Sequence, residues 1–225
     1  MSLARRHYER TVAAKQAAAM PLRQAVAVPA SGSLHDRMLA QLGIHKAALK
    51  AIQSRKGKAE AKLGFLQDYE AYVEGVLAAG NGAQDTVLVT VMMWRIDAGL
   101  YAQALEIAAY ALRHEMAMPD GWARDLPTSL LEELAEQALT DPENQDLAVA
   151  LGDALDLTEG KDMPDEVRAK ALKALGMMVK DSDVERAIGL LEEACTLDPR
   201  CGVKTELKRL KKVTDNDSAD TEPGD

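Results

Sequence analysis

The stretch VMMWRIDAGLYAQALEIAAYAL, residues 91–112, decides the fold. Trp94 continues the apolar period of Val87 and Val91. Arg95 and Asp97 interrupt that run, Asp97-Ala98-Gly99 breaks it, and an alanine-rich helical pattern follows. Charged groups in an apolar run mark either a reactive site or the hinge between two packed helices. A reactive site needs a second group converging on the same point, and the spacing marks none. The stretch therefore reads as a helix hairpin, 84–97 and 100–114. Trp94 fills its crease, and Arg95 and Asp97 cap the turn or face solvent.

A second hairpin is expected at 164–181 and 184–197, broken at Asp181-Ser182-Asp183. Aligned on the first, Ala187 falls on Ala104 and Ala194 on Ala111. Leu175-Gly176, Ala187, Ala194 and Pro199 approximate tetratricopeptide spacing, in which small residues let antiparallel helices approach closely. Between the hairpins, Ser129 and Glu132 suggest a capping box opening a helix that Asp141-Pro142 ends. Another helix is expected at 145–157, and Pro164 with Asp165 and Glu166 marks a further helix start. GNGAQD (80–85) lacks both the third glycine of a dinucleotide loop and the Gly-Lys-Ser/Thr of a nucleotide-phosphate loop, so it reads as a helix-to-helix turn.

The whole chain agrees with this all-α reading. Of its 225 residues, 47% are apolar, 28% charged and only 4% aromatic. Straight-chain residues and alanine keep their freedom in helices, whereas strands favour β-branched and aromatic side chains. The expected architecture is a set of basic N-terminal helices followed by antiparallel hairpins of tetratricopeptide-like type. Four segments follow: a basic helix and linker (1–33), a basic helical region (34–80), a helical body (81–212) and a disordered acidic tail (213–225).

The net charge of −9 conceals an asymmetry. Residues 1–62 hold twelve Lys/Arg against three acids, a net +9, so the remainder is −18. A basic arm on an acidic body is the footprint of polyanion contact, or of pairing with an acidic neighbour. The candidate phosphate contacts are Arg5, Arg6, Arg10, Lys15, Lys46, Lys50, Arg55, Lys56, Lys58 and Lys62. SRKGKAEAK (54–62) is the most cationic stretch, interrupted by Gly57. From Leu34 an apolar stripe runs through Met38, Leu42, Leu49 and Ile52, the pattern of helix pairing between subunits.

Catalytic and metal chemistry leave fainter traces. Asp153, Asp156 and Glu159 recur every three residues and could hold Mg²⁺ in a nuclease, although a solvated acidic face produces the same spacing. His7, His35, His45 and His114 are scattered, and His114-Glu115 lacks the second histidine of a helical zinc motif. Cys195 and Cys201 suggest neither a zinc site nor a disulfide framework. No cofactor and no metal are expected. The longest apolar run, 87–94, is far below the roughly 20 residues of a membrane span. The charged N-terminus is unlike a secretory signal, and a cytoplasmic location is expected.

GAQDTVLVTVMMWRIDAGLYAQALEIAAYALRHEMAMP (82–119), DMPDEVRAKALKALG (162–176) and GVKTELKRLKK (202–212) resemble the phage small terminase subunit family. The branch is the one labelled terminase endonuclease subunit in temperate contractile-tailed phages, and the likeness spans about 1–212. The resemblance implies recognition of double-stranded viral DNA at a packaging or cohesive-end site. It also implies assembly into a ring-like homo-oligomer and transfer of DNA to a large terminase subunit that carries the ATPase and nuclease. The setting it implies is the host cytoplasm. Relatives of this type end in a Lys/Arg- and Pro-rich tail, whereas this chain ends in an acidic one. That departure moves the expected DNA contacts to residues 1–62. Two alternatives stand beside this reading: a metal-dependent endonuclease, and a helical scaffold that binds no DNA.

Overall fold

The computed structural model describes residues 3–19 and 33–219. The expected linker up to Gly32 and the end of the acidic tail, 220–225, lie outside them. Eleven helices and no strand occur among the described residues. The chain divides into two compact units, Met1–Leu126 and Pro127–Asp225, so the helical body expected over 81–212 is shared between both.

The first unit holds α1 (Leu3–Ala19), α2 (Leu34–Ala51), α3 (Arg55–Leu66), α4 (Glu70–Ala79), α5 (Thr86–Asp97) and α6 (Tyr101–Arg113). Its centre is α5, in which every residue from Val87 to Ile96 is buried. A helix apolar all round must be covered all round, and α2, α3 and α6 pack against it. Truncating Leu88 or Met92 in such a site costs about 2–5 kcal/mol.

The GNGAQD segment is a turn. Gly80 closes α4 in the left-handed region at φ 65°, and Asp85 caps α5 by accepting from the Val87 and Leu88 amides. Gly82, also left-handed, lies against His114, so that a Cβ there would fall 2.2 Å from its Nδ1.

Trp94, expected in the crease of the α5–α6 hairpin, is buried and its ring lies among those of His45 on α2, Phe65 on α3 and Tyr69 just before α4. Arg95 departs from expectation. It neither caps the turn nor faces solvent: it is buried, and its guanidinium donates to the Gln103 carbonyl at 3.0 Å, fastening α5 to α6. Asp97 accepts from Lys62 of α3.

Two further local readings change. Gly57 does not interrupt the basic stretch. It lies in the first turn of α3, where its amide donates to the Ser54 cap at 3.1 Å. Ser129 caps nothing: α7 (Leu126–Thr140) starts three residues earlier, with Pro127 in its first turn, where a missing N–H costs little. The Ser129 hydroxyl is buried inside that helix, with no hydrogen-bond partner among the described residues.

The second unit continues with α8 (Gln145–Leu157), α9 (Asp165–Val179), α10 (Val184–Leu197) and α11 (Lys204–Ala219). α9 packs on both α8 and α10, and α11 packs on α10. Gly176 lets α10 approach closely, since a Cβ would meet Leu191 at 2.9 Å. Ala187 and Ala194 are completely buried. α11 extends through Ala219, so the helix enters the tail that was expected to be disordered from residue 213.

Candidate nucleic-acid interface

The basic residues separate into two populations. On α1, Arg5 pairs with Glu9 at 2.8 Å, Arg6 with Glu70 at 3.7 Å and Arg10 with Glu74 at 3.5 Å. α1 lies so close to α4 that a Cβ on Gly75 would fall 2.5 Å from the Arg10 carbonyl and 2.6 Å from the Ala13 Cβ. That contact sets Arg6 and Arg10 beside acids of α4, while Arg5 pairs within α1; Glu70, Glu74 and Glu106 also line the neighbouring groove with Arg10 and Arg95. Arg95 itself is pulled down by burial and pushed back up by Glu106, Glu70 and Glu74. Lys15 is exposed on α1.

The second population lies where α2 ends and α3 begins. Lys46, Lys50, Arg55 and Lys56 are exposed and Lys58 is half-buried; none makes an ion pair among the described residues. Lys46 and Lys50 are one helical turn apart and share a face of α2, as do Arg55 and Lys58 on α3. Partial desolvation lowers the Lys46 pKa from its ordinary value, with no carboxylate acting against it. Lys62 does not belong to this set, because Asp97 neutralises it.

Local electrostatics make the corner unusual. The first turn of α3 contains no acid and three cations, Arg55, Lys56 and Lys58, at the end where the helix dipole is positive. Acids are favoured there by about 0.3–1 kcal/mol each, so cations work against the helix until an anion joins them. A phosphate would relieve that conflict.

The corner is held by α2. Ser33 and Asp36 form a capping box, and Leu34, Met38, Leu42, His45 and Leu49 make one buried face. Leu34, Met38, Leu42 and Leu49, with half-buried Ile52, were expected to pair subunits; the four are instead buried against the chain's own helices. Two histidines complete the anchorage. His45 stacks on Phe65 at 3.9 Å, with its Nδ1 2.8 Å from the Tyr69 hydroxyl, and burial pushes its pKa down while Asp68 opposes. His35 Nδ1 lies 2.7 Å from the Tyr72 hydroxyl, which donates to Asp85 at 2.5 Å. Burial and Asp85 raise the Tyr72 pKa well above its ordinary value, so the hydroxyl keeps its proton.

Two further basic groups, legible in the sequence but outside the candidate contacts, are Arg37, exposed on α2, and the row of Lys204, Lys208 and Lys212 along α11; none of them makes an ion pair among the described residues. Their four-residue spacing in VKTELKRLKK was the available signal. The candidate metal ligands Asp153 and Asp156 are exposed on α8, and Glu159 follows its end. Among the described residues no three His, Cys, Asp or Glu side chains are grouped to hold a metal ion, and no helix is long and apolar enough to cross a membrane.

Among the described residues the geometry thus defines an all-helical protein with a fixed cationic corner that makes no ion pair. The sequence pattern of the phage small terminase subunit family matches residues 39–166, a span containing that whole corner. A terminase, endonuclease subunit of Escherichia phage P2 is 41% identical over 217 residues, covering 94% of this chain and 85% of the relative. The chain belongs to the phage small terminase subunit family, and its role is in the terminase of phage DNA packaging. No solved structure matches it.

Proposed function

We propose that this chain is the DNA-recognition and adaptor subunit of its terminase. It binds double-stranded viral DNA at the packaging or cohesive-end site and delivers it to the large subunit for cleavage and packaging into the procapsid. The observation that carries this reading is the corner of Lys46, Lys50, Arg55, Lys56 and Lys58, without an ion pair among the described residues and with the last three in the first turn of α3. Lysine and arginine in such a setting contact phosphates and confer salt-sensitive affinity. Lys15 joins them as an exposed flank, while Arg5, Arg6, Arg10 and Lys62 serve structural ion pairs first.

The adaptor works in the host cytoplasm as a ring-like homo-oligomer. With the Leu34–Leu49 stripe occupied, the outward face of α2, bearing Ala40, Ile44, Ala47 and Ala51, is the surface left for a second copy. The α5–α6 and α9–α10 pairs, closed over small residues, support a tetratricopeptide-like body that offers surface to the large subunit.

The test is a native gel of the purified chain with a labelled duplex bearing the packaging start site, Mg²⁺ and scrambled competitor. The expected result is a retarded, intact duplex. The phage P2 relative has "endonuclease" in its name, and that favours a second reading in which the chain itself cuts. A cleaved duplex would establish that reading instead, and an unshifted one would favour a scaffold that binds no DNA.

A further inference from the structure

The two cysteines, six residues apart in sequence, meet in the fold. Cys195 lies in the last turn of α10 and Cys201 precedes α11, with their Sγ atoms 3.5 Å apart. The approach is built by the turn between them. The Asp198 amide donates to the Ala194 carbonyl at 2.9 Å, and the Cys201 amide donates back to the Asp198 carbonyl at 3.0 Å. Lys173 of α9 donates to the Cys201 carbonyl at 2.8 Å, and Gly202 turns the chain away at φ 83°. Both sulfurs are half-buried against the cluster of Ala187, Leu191, Val203 and Leu210 that seats α11 on α10.

A disulfide needs its sulfurs at about 2.0 Å, so closure requires about 1.5 Å of further approach, within reach of side-chain rotation. We propose that Cys195 and Cys201 are a thiol–disulfide site whose oxidation by a small-molecule disulfide such as oxidised glutathione locks the start of α11 onto α10. The first thiolate attacks one sulfur of the reagent, forming a mixed disulfide and expelling one glutathione thiolate. The second protein thiolate attacks the protein sulfur of that mixed disulfide and expels the other. The two protein thiols lose their protons and two electrons; the reagent is reduced to two thiols, which take up those protons. Burial, the Cys201 sulfur and nearby Asp198 raise the Cys195 thiol, with Lys204 opposing, so closure quickens as pH rises above neutral. The lock acts beside the row of Lys204, Lys208 and Lys212, and holds that cationic helix in place.

The intact chain is incubated with oxidised glutathione and then with dithiothreitol, and followed by thiol titration and intact mass. The wild type is expected to lose both thiols, lose the mass of two hydrogens, retain no glutathione and remain a single chain on a non-reducing denaturing gel. Dithiothreitol is expected to reverse the change. C195S and C201S are each expected to hold one glutathione as a stable adduct, because the second thiol is gone. A wild type that retains glutathione, links chain to chain, or keeps both thiols free where the variants are modified would overturn the site. Hydrogen exchange reads the lock: amides over 204–214 are expected to slow in the oxidised wild type and not in oxidised C201S. Equal exchange in oxidised and reduced wild type would overturn that part.

Discussion

α1 and the α2–α3 corner carry similar basic sequence and opposite fates. RRHYER and SRKGK hold three Lys/Arg each, yet the arginines of the first face Glu9, Glu70 and Glu74, and the cations of the second make no ion pair among the described residues. Two of those three acids lie on α4, far along the chain from α1. What recruits a polyanion is charge left over after folding, and that depends on packing. The close contact of Gly75 with Ala13 settles it for Arg6 and Arg10.

The sharpest way to break the comparison is to reverse the corner. K46E, K50E, R55E, K56E and K58E together are expected to weaken duplex binding on the order of a hundredfold at moderate salt. The same reversals at Arg6 and Arg10 are expected to change it little. Fluorescence anisotropy measures both, and circular dichroism confirms that each variant folds.

Prising α1 from α4 comes next in size. Gly75→Leu places atoms where the Arg10 backbone and Ala13 now sit, and is expected to cost about 1–3 kcal/mol in thermal denaturation. α1 is then expected to become sensitive to limited proteolysis while duplex binding is undiminished. Loss of binding with α1 would place the DNA contacts on α1 after all.

A smaller effect separates the anchorage of the corner from its charge. His45 has a folded pKa below its unfolded value, because it is buried among Phe65, Tyr69, Trp94 and Gln41 with only Asp68 opposing. The unfolded chain therefore binds the proton more readily. The stability contributed by neutral His45 is complete above the ordinary histidine pKa of about 6.5 and declines as pH falls from there toward the folded value. Urea unfolding at a series of pH values is expected to show this decline in the wild type and a shallower one in His45→Gln.

The smallest expected effect is the Arg10–Glu74 pair itself. Both side chains are more than half exposed. A double-mutant cycle on thermal stability is expected to return a coupling below about 1 kcal/mol. The pair removes charge from α1 without contributing much to holding it there.

Much of the fold is written locally. α8 and α10 span the residues their patterns mark, and they begin there because Asn144 and Asp183 cap them with short-range side-chain bonds. Gly57 misled because a glycine in a first turn behaves unlike one in mid-helix; Ser54 accepts its amide and the helix runs on. The stripe from Leu34 to Leu49 was correctly apolar, but periodicity states that a face is buried and never by which chain. Arg95 was misplaced because its partner is a backbone carbonyl, which no side-chain pattern announces. The candidate site was legible as composition and illegible as geometry. Removing Lys62 from the corner required knowing that Asp97 folds back onto it.

The most direct test of the central claim is the salt dependence of duplex binding, measured for three proteins side by side. These are the wild type, the variant with alanine at Lys46, Lys50, Arg55, Lys56 and Lys58, and the variant with alanine at Arg5, Arg6 and Arg10. Removing one phosphate-binding side chain is expected to flatten the slope of log affinity against log salt by about 0.9. The account predicts a flattened slope for the corner variant and the wild-type slope for the α1 variant. A flattened slope in the α1 variant, with the corner variant unchanged, would contradict it.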